Sequence, residues 1–301
     1  MTIRRCSLQP HYATRYNALM PPRPIITLLT DFGEKDTYVG AMKGVILSIA
    51  PDAQIVDISH EIAPQDIKQA AAILDGIYQY YPEHSVHVIV VDPGVGSERK
   101  PIALRGERGT CLAPDNGVLS YIHTKEPHSP VFALDRQEYW LPLPSNTFHG
   151  RDIFSPVAAH LSVGVPIQEL GTPIIRIVTF PLPSVLVTET TIKGEVVKID
   201  NFGNALTNIG QLQWLSKDAL RFTPQVGWEL LSPVTLDARQ VRIICGWHTL
   251  TGIHQNYTQV AIGQLVAVVG SNKELEIAVN QGRASDALSI QPGHSVIIQF
   301  V

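Results

Sequence analysis

The sequence has few cysteines, no long apolar run and no excess of basic residues, and each absence excludes a class of protein. Cys6, Cys111 and Cys245 are the only cysteines in 301 residues, too few and too scattered for a disulfide framework or a structural zinc site. No apolar run approaches the roughly 20 residues that a membrane span needs. The formal net charge of -4 argues against a nucleic-acid or anionic-membrane partner. We therefore expect a cytoplasmic protein with neither kind of partner.

The first 24 residues differ from the rest of the chain, because they contain four arginines and no acidic residue. They lack the apolar centre of a secretory signal. This composition predicts a loose tail, or sequence upstream of a start at Met20. A transit peptide is the alternative.

From residue 25 the pattern alternates short apolar runs with longer stretches of helical periodicity. This order of strand, helix, strand, helix and strand predicts an α/β domain with a parallel sheet and covering helices, over residues 25–182. The predicted strands are residues 25–30, 55–58 and 86–91. The predicted helices begin at Asp36 or Thr37, at Asp66 and at Asp152.

After residue 183 the pattern changes to short β-like runs that glycine and asparagine interrupt. This change predicts an all-β domain over residues 192–301, either a sandwich or a small barrel. The clearest predicted strands are residues 195–199, 241–244, 265–269, 275–279 and 295–298.

Two predicted strands of the first domain end in an aspartate that turn residues follow, Asp31 and Asp92. Because ligands of open parallel sheets bind beyond the carboxyl ends of the strands, both carboxylates are expected to face one crevice. A single such aspartate more often caps a turn. Two at equivalent strand ends, with Arg99 shortly after Asp92, favour a functional site.

The two glycines of residues 93–96 suggest a phosphate-binding loop at first sight. A dinucleotide fingerprint needs a further glycine where Arg99 stands, and no helical pattern follows. There is no Walker lysine either. These departures exclude the phosphate loop.

His149 lies in the next dense polar cluster and can be a general base, a metal ligand or a turn residue. His160 is too far along the chain to complete a metal site, so no metal is predicted. Nucleophile elbows for serine or cysteine are absent. His60, His123 and His128 are expected to be surface or turn histidines.

Polar loops separate the apolar strands of the β-rich half, and such loops usually only turn the chain. Phe202, Asn204 and Tyr257 nevertheless offer stacking surfaces and an amide, which together suit a purine.

The ordered set of motifs resembles the S-adenosyl-L-methionine hydroxide adenosyltransferase family, whose relatives are the fluorinase and chlorinase enzymes. The resemblance extends from about residue 25 to the end of the chain, and the order of the motifs is more specific than any one of them. The motifs are Thr-Asp-Phe-Gly at 30–33 with Asp36 and Tyr-Val-Gly at 38–40, Asp-Pro-Gly-Val-Gly at 92–96 with Arg99, Asp-Asn-Gly at 115–117, Phe-His-Gly-Arg-Asp at 148–152, and Asp-Asn-Phe-Gly-Asn at 200–204.

The resemblance implies a Rossmann-like N-terminal domain with helices on both faces of its sheet, a C-terminal β-barrel and a homotrimer with intersubunit active sites. It implies that Asp92, Arg99 and His149 form the catalytic trio of the hydroxide-using branch. The substrate-binding positions that it implies are Asp31 for the ribose hydroxyls, Asp200 for the methionine ammonium, Ser271 near the methionine carboxylate, and Phe202, Asn204, Tyr257 and Asn280 around adenine.

The halogenase relatives differ from this chain at three places. They carry an aromatic residue at the position of Asp92, where an anion would repel a halide. The fluorinase has a halide-binding serine at the position of Gly150, and an extra loop for which there is no room between Asp115 and His149. All three differences favour water as the nucleophile.

The resemblance therefore implies hydrolysis of S-adenosylmethionine to adenosine and L-methionine without a cofactor. The alternatives are a halide-using adenosyltransferase and a non-catalytic module that binds S-adenosylmethionine or a nucleoside. A metal-dependent hydrolase is a more distant third.

Overall fold

The computed structural model describes residues 23–224 and 233–300, so nearly all of the predicted tail lies outside the described residues. The strands are, in chain order, β1 (Ile25–Thr30), β2 (Gln54–Ser59), β3 (Val86–Val90), β4 (Pro101–Gly106), β5 (Gly109–Pro114), β6 (Val131–Ala133), β7 (Thr172–Ile174), β8 (Leu186–Val187), β9 (Thr191–Ile199), β10 (Ala205–Gly210), β11 (Leu212–Trp214), β12 (Ala219–Phe222), β13 (Val234–Asp237), β14 (Arg242–Cys245), β15 (His248–Thr251), β16 (Leu265–Val269), β17 (Glu274–Val279) and β18 (Ser295–Gln299). The α-helices are α1 (Tyr38–Ile49), α2 (Ile67–Tyr78), α3 (Ser120–Lys125), α4 (Ser155–Ser162), α5 (Ile167–Leu170) and α6 (Ala284–Leu288), and a π-helix spans Gly150–Phe154.

The described chain forms two compact units that interleave along the sequence. The first contains the described residues up to Pro64, together with Tyr81–Pro114 and Pro130–Ile174. The second contains Gln65–Tyr80, Asp115–Ser129 and the described residues from Ile175 onward. The proposed domain division between residues 182 and 192 stays a prediction.

The first unit contains a seven-stranded mixed sheet in the order β2-β1-β3-β5-β4-β6-β7. The pairs β1–β2, β1–β3 and β3–β5 are parallel, whereas the pairs that join β5, β4, β6 and β7 are antiparallel. The expectation of a mainly parallel sheet therefore fits only one half. The reason is the short link between β4 and β5, because two residues can join antiparallel strands but cannot make a parallel crossover.

The core of the first unit lies between this sheet and helices α1 and α4. Val39, Met42 and Ile46 are the buried residues of α1 and recur at helical spacing. Helix α4 packs against α1 and against β1 and β3. The helix predicted from Asp152 begins instead as the π-helix, because Pro156 has no N–H for the Asp152 carbonyl, which accepts from the Leu141 N–H at 2.9 Å.

The second unit contains a barrel-like antiparallel sheet in the order β15-β14-β18-β9-β10-β17-β16, with β8 paired to β9. The two end strands of the sheet, β15 and β16, approach each other. The N–H of His254, shortly after β15, donates to the carbonyl of Ala267 in β16 at 2.7 Å. Strands β9, β14, β16, β17 and β18 confirm the five predicted runs within a residue or a few. A further three-stranded sheet has the order β11-β12-β13.

Helical elements also belong to the second unit, so it is not purely β. Helix α6 lies between β17 and β18, and α2 and α3 group with this unit as well. Asp66 caps α2 as predicted, because its carboxylate accepts from the Gln69 N–H at 2.9 Å. Within residues 23–224 and 233–300, no helix has both the length and the apolar character needed to span a membrane.

Candidate active site

The register of β1 and β3 brings the two strand-end aspartates to one edge of the sheet. Thr30 pairs with Val90 in parallel register, so Asp31 lies one residue and Asp92 two residues beyond the carboxyl ends of neighbouring strands. This confirms the placement that the sequence predicts. The Asp92 side chain is only 5% exposed, which a carboxylate tolerates only with strong partners.

Arg99 is the partner of Asp92. Its Nε donates to Asp92 Oδ1 at 3.0 Å, and its Nη2 donates to Asp92 Oδ2. The Arg99 side chain is 8% exposed, and its guanidinium lies over the ring of Phe154 at 5.8 Å. The two-point contact fixes the plane of the guanidinium. The ammonium group of a lysine could not make such a planar contact.

The loop between Asp92 and Arg99 folds back on itself through two successive turns. The Val95 N–H donates to the Asp92 carbonyl at 3.2 Å, and the Ser97 N–H donates to the Gly94 carbonyl at 3.1 Å. No helix follows in this segment, which agrees with the rejection of a phosphate loop. The two turns thus bring Arg99 back to the carboxyl end of β3.

Gly96 brings the same loop against the segment that precedes His149. Its φ is +77°, and a Cβ there would lie 2.5 Å from the Asn146 carbonyl oxygen. A side chain would therefore push the two segments apart. Gly96 therefore serves close packing of the chain rather than phosphate binding.

His149 completes the cluster from a position far along the sequence. It lies at the start of the π-helix, and its Nδ1 is 2.7 Å from Arg99 Nη2. A guanidinium can only donate, so Nδ1 must accept and the ring proton lies on Nε2. Burial first, and then the positive charge of Arg99, hold the pKa of His149 below its ordinary 6.5. The imidazole is therefore neutral at pH 7.

Asp152 anchors the segment that carries His149, a role that sequence reasoning missed. Its side chain is 2% exposed and accepts from the Ser145 N–H at 2.8 Å and from Arg151 Nε at 2.6 Å. The motif at 148–152 contains Asp152, but the prediction assigned it to the start of a helix. Only its buried contacts show that it ties the preceding loop to the π-helix.

Gly150 lies among aromatic and sulfur groups of the first unit. A Cβ at this position would lie 3.2 Å from Met42 Sδ, 3.3 Å from Phe148 and 3.4 Å from Phe32. The rings of Phe32, Tyr38 and Phe148 contact one another with centroid separations of 5.1 to 5.8 Å. A serine here would therefore require its neighbours to shift.

Asp200, Asn204, Tyr257 and Glu276 form two hydrogen-bonded pairs in the second unit, and Asp200 also interacts electrostatically with Tyr257. Asp200 accepts from the Asn204 N–H at 2.8 Å and from the Asn204 side-chain amide at 3.1 Å. The Tyr257 hydroxyl donates to Glu276 Oε1 at 2.7 Å. Burial raises the pKa of Tyr257, and the contact with Glu276 raises it further. Glu276 is 6% exposed, and no sequence pattern singled it out.

The other predicted substrate-binding residues of this unit, Phe202, Ser271 and Asn280, differ in exposure and lie on different segments. Phe202 is 74% exposed on the loop between β9 and β10. Ser271 is exposed on the loop between β16 and β17. Asn280 is buried at the end of β17, and its side-chain amide donates to the Val260 carbonyl at 2.8 Å. In the described parts of the chain, no group of three or more His, Cys, Asp or Glu side chains is arranged to hold a metal.

The expectation that His60 is a surface or turn histidine is wrong as to exposure, because the residue is 4% exposed. It directly follows β2 and contacts Thr30 at the end of β1. Its burial depends on the pairing of β1 with β2, which local sequence does not reveal.

Two family models together match most of the chain. The SAM hydroxide adenosyltransferase N-terminal domain matches residues 26–171, and the corresponding C-terminal domain matches residues 194–297. The chain belongs to the SAM hydroxide adenosyltransferase family. The motifs that carried the resemblance lie inside these two matches.

Matches to three relatives of this family member cover between 71% and 91% of its length. It is 36% identical to the (R)-S-adenosyl-L-methionine hydrolase of Thermus thermophilus, a match that covers 91% of this chain and 98% of the relative. It is 28% identical to the fluorinase of an Actinoplanes species, over 71% of this chain and 80% of the relative. The structure of an uncharacterized conserved protein from Thermotoga maritima superposes with a TM-score of 0.76 at 33% identity, covering 91% of this chain and 99% of that one.

Proposed function

We propose that this protein hydrolyses S-adenosyl-L-methionine to adenosine and L-methionine by attack of water or hydroxide on the ribose C5′. Family membership and the hydrolase relatives support this proposal. The sulfonium leaves as a neutral thioether, so its departure needs no acid. The chemical difficulty is the nucleophile, because water is weak and largely un-ionised at pH 7.

The observation that carries the proposal is an unpartnered, buried nitrogen of Arg99 in the described part of the chain. Its Nη1 is buried and has no hydrogen-bond partner among the described residues, although Nε and Nη2 are both bonded. A buried cationic donor without a partner is costly, so an oxygen ligand is expected to bind there. Hydroxide is such a ligand, and the fixed positive charge favours its formation from water.

The hydrogen-bond directions favour Asp92 over His149 as the proton acceptor. Arg99 already occupies the lone pair of His149 Nδ1, and Nε2 carries the ring proton. Each Asp92 oxygen retains a second lone pair beside its bond to Arg99. In this mechanism Asp92 orients the water and takes its proton, while the His149 N–H completes the frame.

The substrate-binding roles belong to the same proposal. Asp31 would hold the ribose hydroxyls, Asp200 the methionine ammonium, and Ser271 the methionine carboxylate. The adenine would contact Phe202, Asn204, Tyr257 and Asn280. Asn204 would bind it while sharing its amide with Asp200.

Several broader features are also proposals. The parallel strands β2, β1, β3 and β5 support a Rossmann-like description of the N-terminal domain. We further propose a homotrimer with intersubunit active sites, a cytoplasmic location and catalysis without a cofactor.

The decisive assay is chromatographic detection of adenosine and methionine from S-adenosylmethionine in oxygen-labelled water. We expect the label at the 5′-hydroxyl of adenosine. The distant fluorinase similarity motivates a parallel incubation with chloride. A 5′-chloro product would establish the halide-using alternative, and intact bound ligand without turnover would establish a binding module.

A further inference from the structure

We propose that His60 is a positioning residue that acts through Thr30 to fix the turn that carries Asp31. This inference rests on the proposed function, since its consequence is the alignment of the substrate ribose. His60 itself would touch neither the substrate nor the nucleophile.

The contact between His60 and Thr30 is buried at the carboxyl ends of β1 and β2. Thr30 is fully buried and His60 is 4% exposed. The Thr30 Oγ1 lies 2.9 Å from His60 Nδ1. A buried polar pair of this kind has no water to replace a lost partner, so its geometry is strongly held.

The direction of the hydrogen bonds follows from the neighbouring backbone. The Phe32 N–H donates to Thr30 Oγ1 at 3.3 Å, so the Thr30 hydroxyl acts as an acceptor there. Its single proton is then available for His60 Nδ1. The nearness of Nε2 to Asp57 Oδ1 favours the tautomer in which Nδ1 accepts from Thr30 and Nε2 carries the ring proton.

A second tether joins His60 to the same turn through the backbone. The Gly33 N–H donates to the His60 carbonyl at 2.8 Å. Gly33 has φ of +67°, a left-handed conformation that suits a tight turn. Asp31 therefore lies between Thr30, which His60 holds by its side chain, and Gly33, which His60 holds by its main chain.

An outer pair of charges supports the His60 ring. Its Nε2 lies 3.1 Å from Asp57 Oδ1, close enough for an electrostatic contact although the alignment is not that of a hydrogen bond. Lys43 Nζ donates to Asp57 Oδ2 at 2.5 Å. Burial opposes ionisation of Asp57, but the contacts with Lys43 and His60 outweigh it and lower the pKa of this carboxyl.

The same strand provides a matched control. Thr27, also on β1 and buried, has its Oγ1 2.9 Å from Nδ1 of the buried His87. This pair repeats the Thr–His contact near the start of the strand, away from the Asp31 turn. Thr27→Val and Thr30→Val therefore each remove a buried Thr–His contact, and only the second also removes the acceptor of the Phe32 N–H in the turn.

The experiment compares steady-state kinetics and thermal stability of these two variants. We expect similar losses of Tm, but a KM for S-adenosylmethionine raised about tenfold in Thr30→Val alone, with kcat within about threefold of wild type. Thr30→Ser retains the hydroxyl, so its KM should equal that of the wild type. His60→Asn retains a hydrogen-bond acceptor, so its KM should lie close to the wild-type value. Equal KM values in Thr30→Val and Thr27→Val would overturn the proposal.

A readout without turnover separates this inference from the proposed function. If the wild type does not cleave S-adenosylmethionine, the proposed function fails, and amide hydrogen exchange at Phe32 and Gly33 still tests the tether. We expect faster exchange at both amides in Thr30→Val than in Thr27→Val. Equal exchange in the two variants would refute the positioning role.

Discussion

Arg99 is the residue that joins the three side chains of the candidate active site. It contacts both oxygens of Asp92 and the Nδ1 of His149, and its remaining terminal nitrogen is buried. The planar guanidinium makes these contacts compatible with one another, because its donors point in fixed directions. Arg99 thereby sets which ring nitrogen of His149 carries the proton, and it sets the orientation of Asp92.

Asp92→Asn preserves the shape of the side chain but removes its charge and basicity. We expect kcat to fall at least about 100-fold, because the proposed role of Asp92 is to act on the nucleophile. The KM for S-adenosylmethionine should stay within about threefold of wild type. Asp135→Asn, which removes an exposed carboxylate of the same unit, is the control and should change neither constant. Equal losses in kcat and affinity would contradict the assignment.

The pH dependence of turnover tests the neutral state of His149. Protonation would place an N–H on Nδ1 opposite Arg99 Nη2 and break the 2.7 Å contact. Because the pKa of His149 lies below 6.5, turnover should be constant near neutrality and fall as the pH drops through that lowered value. Between pH 6.5 and that lowered pKa, the unfolded chain binds the proton more readily than the folded chain does. The free energy of unfolding therefore also decreases as the pH falls through this range.

His149→Asn is the variant that identifies the titrating group, because an asparagine oxygen can accept from Arg99 but does not titrate. The acid limb of the kcat profile should disappear in this variant. A limb with an unchanged midpoint would assign the titration to another group.

Two segments of the chain, one carrying Arg99 and the other His149, form the candidate active site. One is the loop after β3, and the other is the π-helix with the residues that precede it. The π-helix is a costly local geometry that is often found at functional sites. Its Gly150 carbonyl accepts from the Ser155 hydroxyl at 2.7 Å, which partly offsets the altered helical hydrogen bonding.

Gly96→Ala tests whether the close approach of these two segments matters for catalysis. Gly164 is a matched control, because its φ of +102° is also positive but nothing lies near its added Cβ. Both alanines should cost about 1 kcal/mol of stability through backbone strain. Only Gly96→Ala should also lower kcat, by at least about tenfold, since it displaces Arg99 from His149. Equal kinetics for the two variants would show that the approach is not required.

At the scale of the whole molecule, the proposed trimer can be tested by mixing inactive subunits. Asp92→Asn affects the N-terminal part of the proposed site and Asp200→Asn affects the C-terminal part. If each site combines parts of two subunits, random mixed trimers should regain about one quarter of wild-type turnover. Light scattering would confirm that mixed oligomers form.

The control mixture combines Asp92→Asn with Arg99→Ala, which affect the same part of the site. It should recover nothing. Mixed trimers of the first pair without recovered activity, or an active monomer, would refute the intersubunit site.

The sequence by itself determined the elements that local patterns encode. Continuous apolar runs predicted β1 and β3, and their order with helical stretches placed Asp31 and Asp92 after the ends of equivalent strands. The presence of Arg99 shortly after Asp92 favoured a functional site at that strand end. The family motifs supplied the pairing with His149, because a match in order carries information about distant contacts.

Only the tertiary structure decided the features that depend on distant partners. The antiparallel half of the first sheet, the burial of His60, the anchoring role of Asp152 and the neutral state of His149 all result from contacts across many residues. Local periodicity reports which face of an element is apolar. It does not report which strand lies alongside, or which donor meets which acceptor, and these contacts set pKa values and hold a catalytic group in place.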